Sequence, residues 1–133
     1  MASHALVFPL ETSFDTVGDL VADSVTGQRA EVAAFAWCDR AGRVLGLRHA
    51  RSGLADAVDV PVRRIAIDAL AFDAVAVVMA HNHPSGDAWP SRADRATTRR
   101  IAEAMQALGV RLHDHVIVGS NGARWSFRAA GLL

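Results

Sequence analysis

No lysine occurs among the 133 residues, and fourteen arginines balance eleven aspartates and three glutamates to a net charge of zero. Coating a polyanion requires many phosphates to be neutralised, so this balance excludes non-specific nucleic-acid binding as the main activity. Cysteine is nearly absent as well. With Cys38 alone, a monomer has no disulfide framework, no cysteine-rich zinc module and no CxxC redox centre. Long apolar runs are also missing: none exceeds seven residues, the length of AVAVVMA at residues 74–80, which is far too short to span a bilayer. The opening MASHALVFPLETSF has neither a basic region nor a sustained apolar stretch, so it does not read as a signal peptide. A cytoplasmic protein with no membrane partner is the expectation.

What is present is apolar. Hydrophobic residues make up 51% of the chain and mean hydropathy is +0.18, which excludes disorder. A mass of 14.1 kDa predicts one domain over residues 1–133. Phe14, Val17, Val21 and Val25 recur at near-helical spacing with Gly27 just beyond, so residues 1–27 read as a short helical extension. EVAAFAWC reads as a strand that turns at DRAG into its hairpin partner RVLGLRH. After a looser stretch to Asp59, Pro61 suits a first helical turn, and Val62, Ile65, Ala66, Ala69 and Leu70 form the stripe of a second helix. AVAVVMA, apolar on both faces, predicts a central strand covered from two sides.

That strand runs into HNHPSGDAWPSRAD, which is too rich in Pro, Gly and Ser for regular structure. Ser91 suits the cap of a third helix that stops at Gly109, and VRLHDHVIV and ARWSF close the chain as strands joined at Asn121-Gly122. The order α-β-β-α-β-α-β-β predicts an α/β fold in which helices flank a mixed sheet.

The chemistry concentrates where the central strand meets the third helix. His81 and His83 are two apart, so in extended backbone their rings project to one side. They lie at the C-terminal edge of the sheet, where open α/β folds bind ligands. Asp94, in the first turn of the next helix, can swing back towards them. Two imidazoles and a carboxylate suit zinc with a position left open for water, an arrangement that implies catalysis. A carboxylate is then needed to accept the proton of the activated water. Glu103 falls mid-helix and faces solvent, and Glu11 belongs to an irregular stretch, whereas Glu31 opens a strand that can neighbour the central one. Glu31 is the chosen general base. Plainer readings exist beside these: Ser91 to Asp94 is also a capping box, and Asp94 complements a helix dipole. Trp89, inside the loop, either contacts substrate or pins the loop down.

HNHPSGDAWPSRAD matches H-x-H-x7-S-x2-D with every spacing kept, and so resembles the JAMM metalloenzymes of the JAB/MPN class. The flanks AVAVVMAHNHPSGD, PSRAD and DHVIVG resemble its RadC-type branch. The resemblance covers residues 31–119 and implies a JAB/MPN fold of cytidine-deaminase-like form. It implies zinc held by His81, His83 and Asp94, with Glu31 as general base and Ser91 stabilising the tetrahedral intermediate. Asp114 and His115 match the family's DH pair, which implies an orienting role behind the ligands; the plainer reading beside it is that Asp114 caps a turn and His115 fills a strand face. Thirty residues precede Glu31, too few for the helix-hairpin-helix region that usually accompanies RadC-type domains.

The expected activity is zinc-dependent hydrolysis of a peptide or isopeptide bond in a peptide or protein substrate. The alternative is a non-catalytic RadC-like accessory domain in DNA repair or metabolism, and Glu31 discriminates the two, since a base beside an open metal favours catalysis. Arg92, Arg95 and Arg99 share a helix face that reads as solvated rather than as a nucleic-acid patch. Nucleic acid is therefore not an expected partner of the isolated domain, and a homodimer is compatible with the sequence. One cysteine cannot supply a zinc deaminase, and the absence of HExxH excludes a zincin.

Overall fold

The computed structural model describes residues 13–51 and 62–133. Residues 1–12 with Glu11, the looser stretch through Asp59, and Pro61 lie outside the described residues. Helix α1 (Phe14–Val25) starts at Ser13, whose side chain accepts the Thr16 amide, and buries Val17, Val21, Ala22 and Val25. Strand β1 (Val32–Cys38) pairs antiparallel with β2 (Val44–Arg51), and helix α2 (Val62–Ala71) follows. Strand β3 (Ala76–Asn82) leads through the loop into α3 (Arg92–Ala107), then β4 (Arg111–Val118) and β5 (Arg124–Ser126).

These strands form one mixed sheet in the order β2-β1-β3-β4-β5, parallel only between β3 and β4. A parallel neighbour needs a crossover, and α3 supplies it. The expected α/β architecture with helices on a mixed sheet is the one observed.

Every residue of β1 and β3 is buried because helices cover both faces. On one face α1 packs Val17, Val21 and Val25 against Ala34, Ala36, Val78 and Val116. On the other, α2 and α3 set Ile65, Ile101 and Met105 over Phe35, Trp37, Val77 and Met79. The Trp37 indole donates to the Ile65 carbonyl at 3.2 Å, so its one polar atom is satisfied inside that layer. Cys38 is buried on the opposite, α1-covered face; burial and the neighbouring Asp39 push its thiol up to about 12, so it is no nucleophile.

Strand β4 contains a bulge. Val77 faces Leu112, but the next residue, Val78, faces Asp114, leaving His113 extra. Strict alternation would put His113 and His115 on one side. Instead His113 stacks on Phe14 of α1 at 4.5 Å, while His115 turns to the opposite face.

Candidate metal centre

Strand β3 ends with His81 and Asn82, and the chain leaves the sheet at His83 as its amide donates to the Val118 carbonyl at 2.8 Å. The backbone stays extended through this point, so the two imidazoles face the same side. Their Nε2 atoms lie 3.0 Å apart. Asp94 completes the group, with Oδ1 at 3.2 Å from His81 Nε2 and Oδ2 at 3.1 Å from His83 Nε2.

Asp94 is held there by the start of α3. Its amide donates to Ser91 Oγ at 2.9 Å and its Oδ2 accepts the Ser91 amide at 2.8 Å, a reciprocal capping box. The plain reading of Ser91 and Asp94 and the functional one are therefore the same structure: the cap aims the carboxylate. Burial alone would raise the Asp94 pKa, but hydrogen bonds from His81 and His83 outweigh it and hold the carboxyl well below its usual range. His83 responds in the opposite sense, raised by its hydrogen bond to Asp94 against the effect of burial.

Both imidazoles are locked from behind. His83 Nδ1 meets the Asp87 carbonyl at 2.7 Å, which requires the proton on that nitrogen. For His81 the lock is a relay. The Thr98 hydroxyl donates to the Asp94 carbonyl at 2.7 Å, so its oxygen accepts from His115 Nδ1–H, also at 2.7 Å. His115 is fully buried and stacked on Phe127; burial, followed by the charge of His81, holds its pKa well below the usual value. Neutral His115 then presents Nε2 as acceptor to His81 Nδ1–H at 2.6 Å. With both rings neutral, the two Nε2 lone pairs therefore face each other and a carboxylate. When a ring takes up a second proton at Nε2 it donates to Asp94, the hydrogen bond that lowers Asp94 and raises His83.

Such a set of acceptors lacks only a cation. A tetrahedral ion with bonds of about 2.0–2.1 Å places its ligand atoms about 3.3 Å apart. The observed 3.0, 3.1 and 3.2 Å are within a few tenths of that spacing. The residues fit zinc. Glu31 lies just outside, with Oε1 at 3.9 Å from His81 Nε2, and Glu31, His81 and His83 each offer a ligand atom within 4.8 Å of the others.

The remaining expected residues divide. His115 backs His81, whereas Asp114 ties down the C-terminal turn, accepting from Ser126 Oγ at 2.6 Å and from the Arg128 amide at 3.0 Å. Trp89 is 62% exposed and packs edge-on against Trp125 at 5.9 Å. Glu103 is exposed, as expected, and so are Arg92, Arg95 and Arg99. Thr98 escaped the sequence reading. Its only signal is a hydroxyl at the fourth position after Asp94, on the helix face that the apolar stripe marks as buried.

Residues 11–132 match the family described as RadC-like JAB domain. The chain is similar to a UPF0758 protein of Rhodobacter capsulatus, at 37% identity over 98% of this chain and 61% of that one. It is also similar to UPF0758 proteins of Nitrosococcus oceani (40% identity, 87% of this chain, 56% of that one) and Vibrio cholerae (36%, 78% and 66%). The chain thus spans between half and two-thirds of the length of these relatives. A mixed sheet with His81, His83 and Asp94 gathered at one strand end, together with these matches, establishes that the chain belongs to the RadC-like JAB domain family.

Proposed function

We propose that this domain is a zinc-dependent hydrolase of an amide bond, peptide or isopeptide, in a peptide or protein substrate. The observation that carries the reading is the convergence of the His81 and His83 Nε2 lone pairs on the Asp94 carboxylate, with both Nδ1 protons committed elsewhere. Zinc, when bound, supplies a Lewis acid that acidifies water and polarises the amide carbonyl. His81, His83 and Asp94 would hold it.

Glu31 takes the role of general base. Its half-buried carboxylate lies at the rim of the cluster, 3.9 Å from His81 Nε2, within reach of a proton leaving the attacking water. The same carboxylate returns that proton to the departing amine. Ser91 Oγ already accepts the Asp94 amide, which leaves its own hydroxyl hydrogen free to donate to an oxyanion. A base beside an open ligand set favours catalysis over the accessory reading.

Metal analysis of the purified chain tests this directly. About one zinc per chain is expected, with stoichiometric binding abolished by His83→Ala and by Asp94→Ala. Full zinc retention by both folded variants would remove the assignment.

A further inference from the structure

Between the two histidines stands a residue that no step above uses. Asn82 is 3% exposed and, by strand alternation, projects to the face of β3 opposite the imidazoles. Its side-chain oxygen accepts the Val32 amide at 2.7 Å. Its nitrogen donates to two carbonyls, Ala30 at 3.0 Å and Gln28 at 3.1 Å. Only one orientation of the amide satisfies all three contacts, because the flipped form would set an oxygen against two carbonyls.

These partners are the backbone on both sides of Glu31. That residue stands just before the first ladder pair of β1, Val32 with Arg51, where strand pairing alone leaves the chain loosely held. Asn82 supplies the missing constraint across 50 to 54 residues of sequence, and it is covalently flanked by His81 and His83. Any shift of the histidine strand therefore carries the Glu31 segment with it.

We propose that Asn82 is a positioning residue for Glu31: its amide clasps the backbone on both sides of that residue and so fixes the carboxylate at the edge of the His81–His83–Asp94 cluster. The inference rests on the reading of Glu31 as base, and it adds the group that places it. A carboxylate displaced by about 1 Å loses on the order of a hundredfold in rate, so the clasp has a catalytic consequence without touching substrate.

Two measurements on the full chain test the proposal, and neither needs the natural substrate. The first is residue-resolved amide exchange. In Asn82→Ala the Val32 amide loses its acceptor and should exchange about tenfold faster, while amides inside the β1 ladder, such as Phe35, stay unchanged. Unchanged Val32 protection would overturn the clasp.

The second is the visible spectrum of the chain loaded with cobalt(II) in place of zinc. Asn82→Ala should retain one cobalt, alter the spectrum as Glu31→Gln does, and add nothing when combined with Glu31→Gln. A merely structural role would leave the single-variant spectrum at that of the unaltered chain, or give additive changes in the double variant; either result refutes positioning. Asn82→Asp, which keeps the volume and the acceptor for Val32 but loses both donors, carries the same double-variant comparison should Asn82→Ala fail to fold. Failure of the unaltered chain to take up cobalt would overturn the metal reading instead, and the exchange data then decide the clasp alone.

Discussion

Thr98→Val removes one hydroxyl from the relay behind His81 while keeping the shape of the side chain. Thr98 is 3% exposed, so water cannot simply take the place of the lost oxygen. Two outcomes are open to the buried chain. If His115 keeps its proton on Nδ1, that N–H loses its acceptor at a cost of about 1–3 kcal/mol. If His115 moves the proton to Nε2, it confronts His81 Nδ1–H across 2.6 Å and forces the His81 proton onto Nε2. There it blocks the point where the cation belongs. The first outcome lowers the stability of the fold; the second weakens zinc binding, and changes behind metal ligands typically cost 10–100-fold in affinity, or about 1.4–2.7 kcal/mol.

Competition against a chelator of known affinity reads the zinc constant, and calorimetry of the metal-free chain reads stability. For a domain of this size each kcal/mol corresponds to about 3–4 °C in Tm. Thr97→Val is the internal control, since that neighbour takes no part in the relay. A folded Thr98→Val protein that binds zinc within twofold of the unaltered chain would refute the idea that the relay fixes the His81 tautomer.

Glu31→Gln keeps the shape of the base but not its ability to accept a proton. Zinc content should hold while hydrolysis of any working substrate falls about 10²–10⁴-fold, and exposed Glu103→Gln should match the unaltered chain. Loss of zinc by Glu31→Gln would instead make Glu31 a ligand and close the site. A third expectation concerns His113, 7% exposed with Nδ1 lacking a partner among the described residues. Burial, then the charges of Arg128 and Arg111, lower its pKa against the opposing pull of Asp114 and Asp15. The folded state thus prefers the neutral ring, so this contribution to stability is present above the unfolded pKa of about 6.5 and fades as pH falls through the folded value. Denaturant titrations at pH 7.5 and pH 5 should show His113→Phe gaining on the unaltered chain at the lower pH; parallel losses in both proteins would contradict it.

The order of elements was legible because each carries its own local signal. Aromatic and β-branched residues and turn chemistry mark β1 and its hairpin partner β2, apolar stripes mark the helices, and the HxH pair marks the end of β3. The supports of the site were hidden for definite reasons. Asn82 acts on residues 28–32, far away in sequence, and a polar residue between two histidines carries no periodic signal. His115 could be suspected from its DH context, but its neighbour Asp114 shares that context and serves the C-terminal turn. The bulge at His113 separates them: it reverses the side on which each residue falls, and no single-strand pattern announces it. Strand β3 also runs two residues further than its apolar run, to Asn82, because the ladder with β4 continues through His81 and Asn82.

The parts of the centre come from very different chain distances. His81, His83 and Asp94 fall within a single strand-loop-helix unit, closed by a short loop at small entropic cost. Glu31 arrives only when β1 docks antiparallel on β3, bringing together segments some fifty residues apart. Capturing the metal and assembling the base are thus separate events on the folding landscape, and non-local contacts of the second kind form slowly. Under the proposed function, metal content would report on one corner of the molecule, whereas the native meeting of β1 with β3 would report on the placement of Glu31.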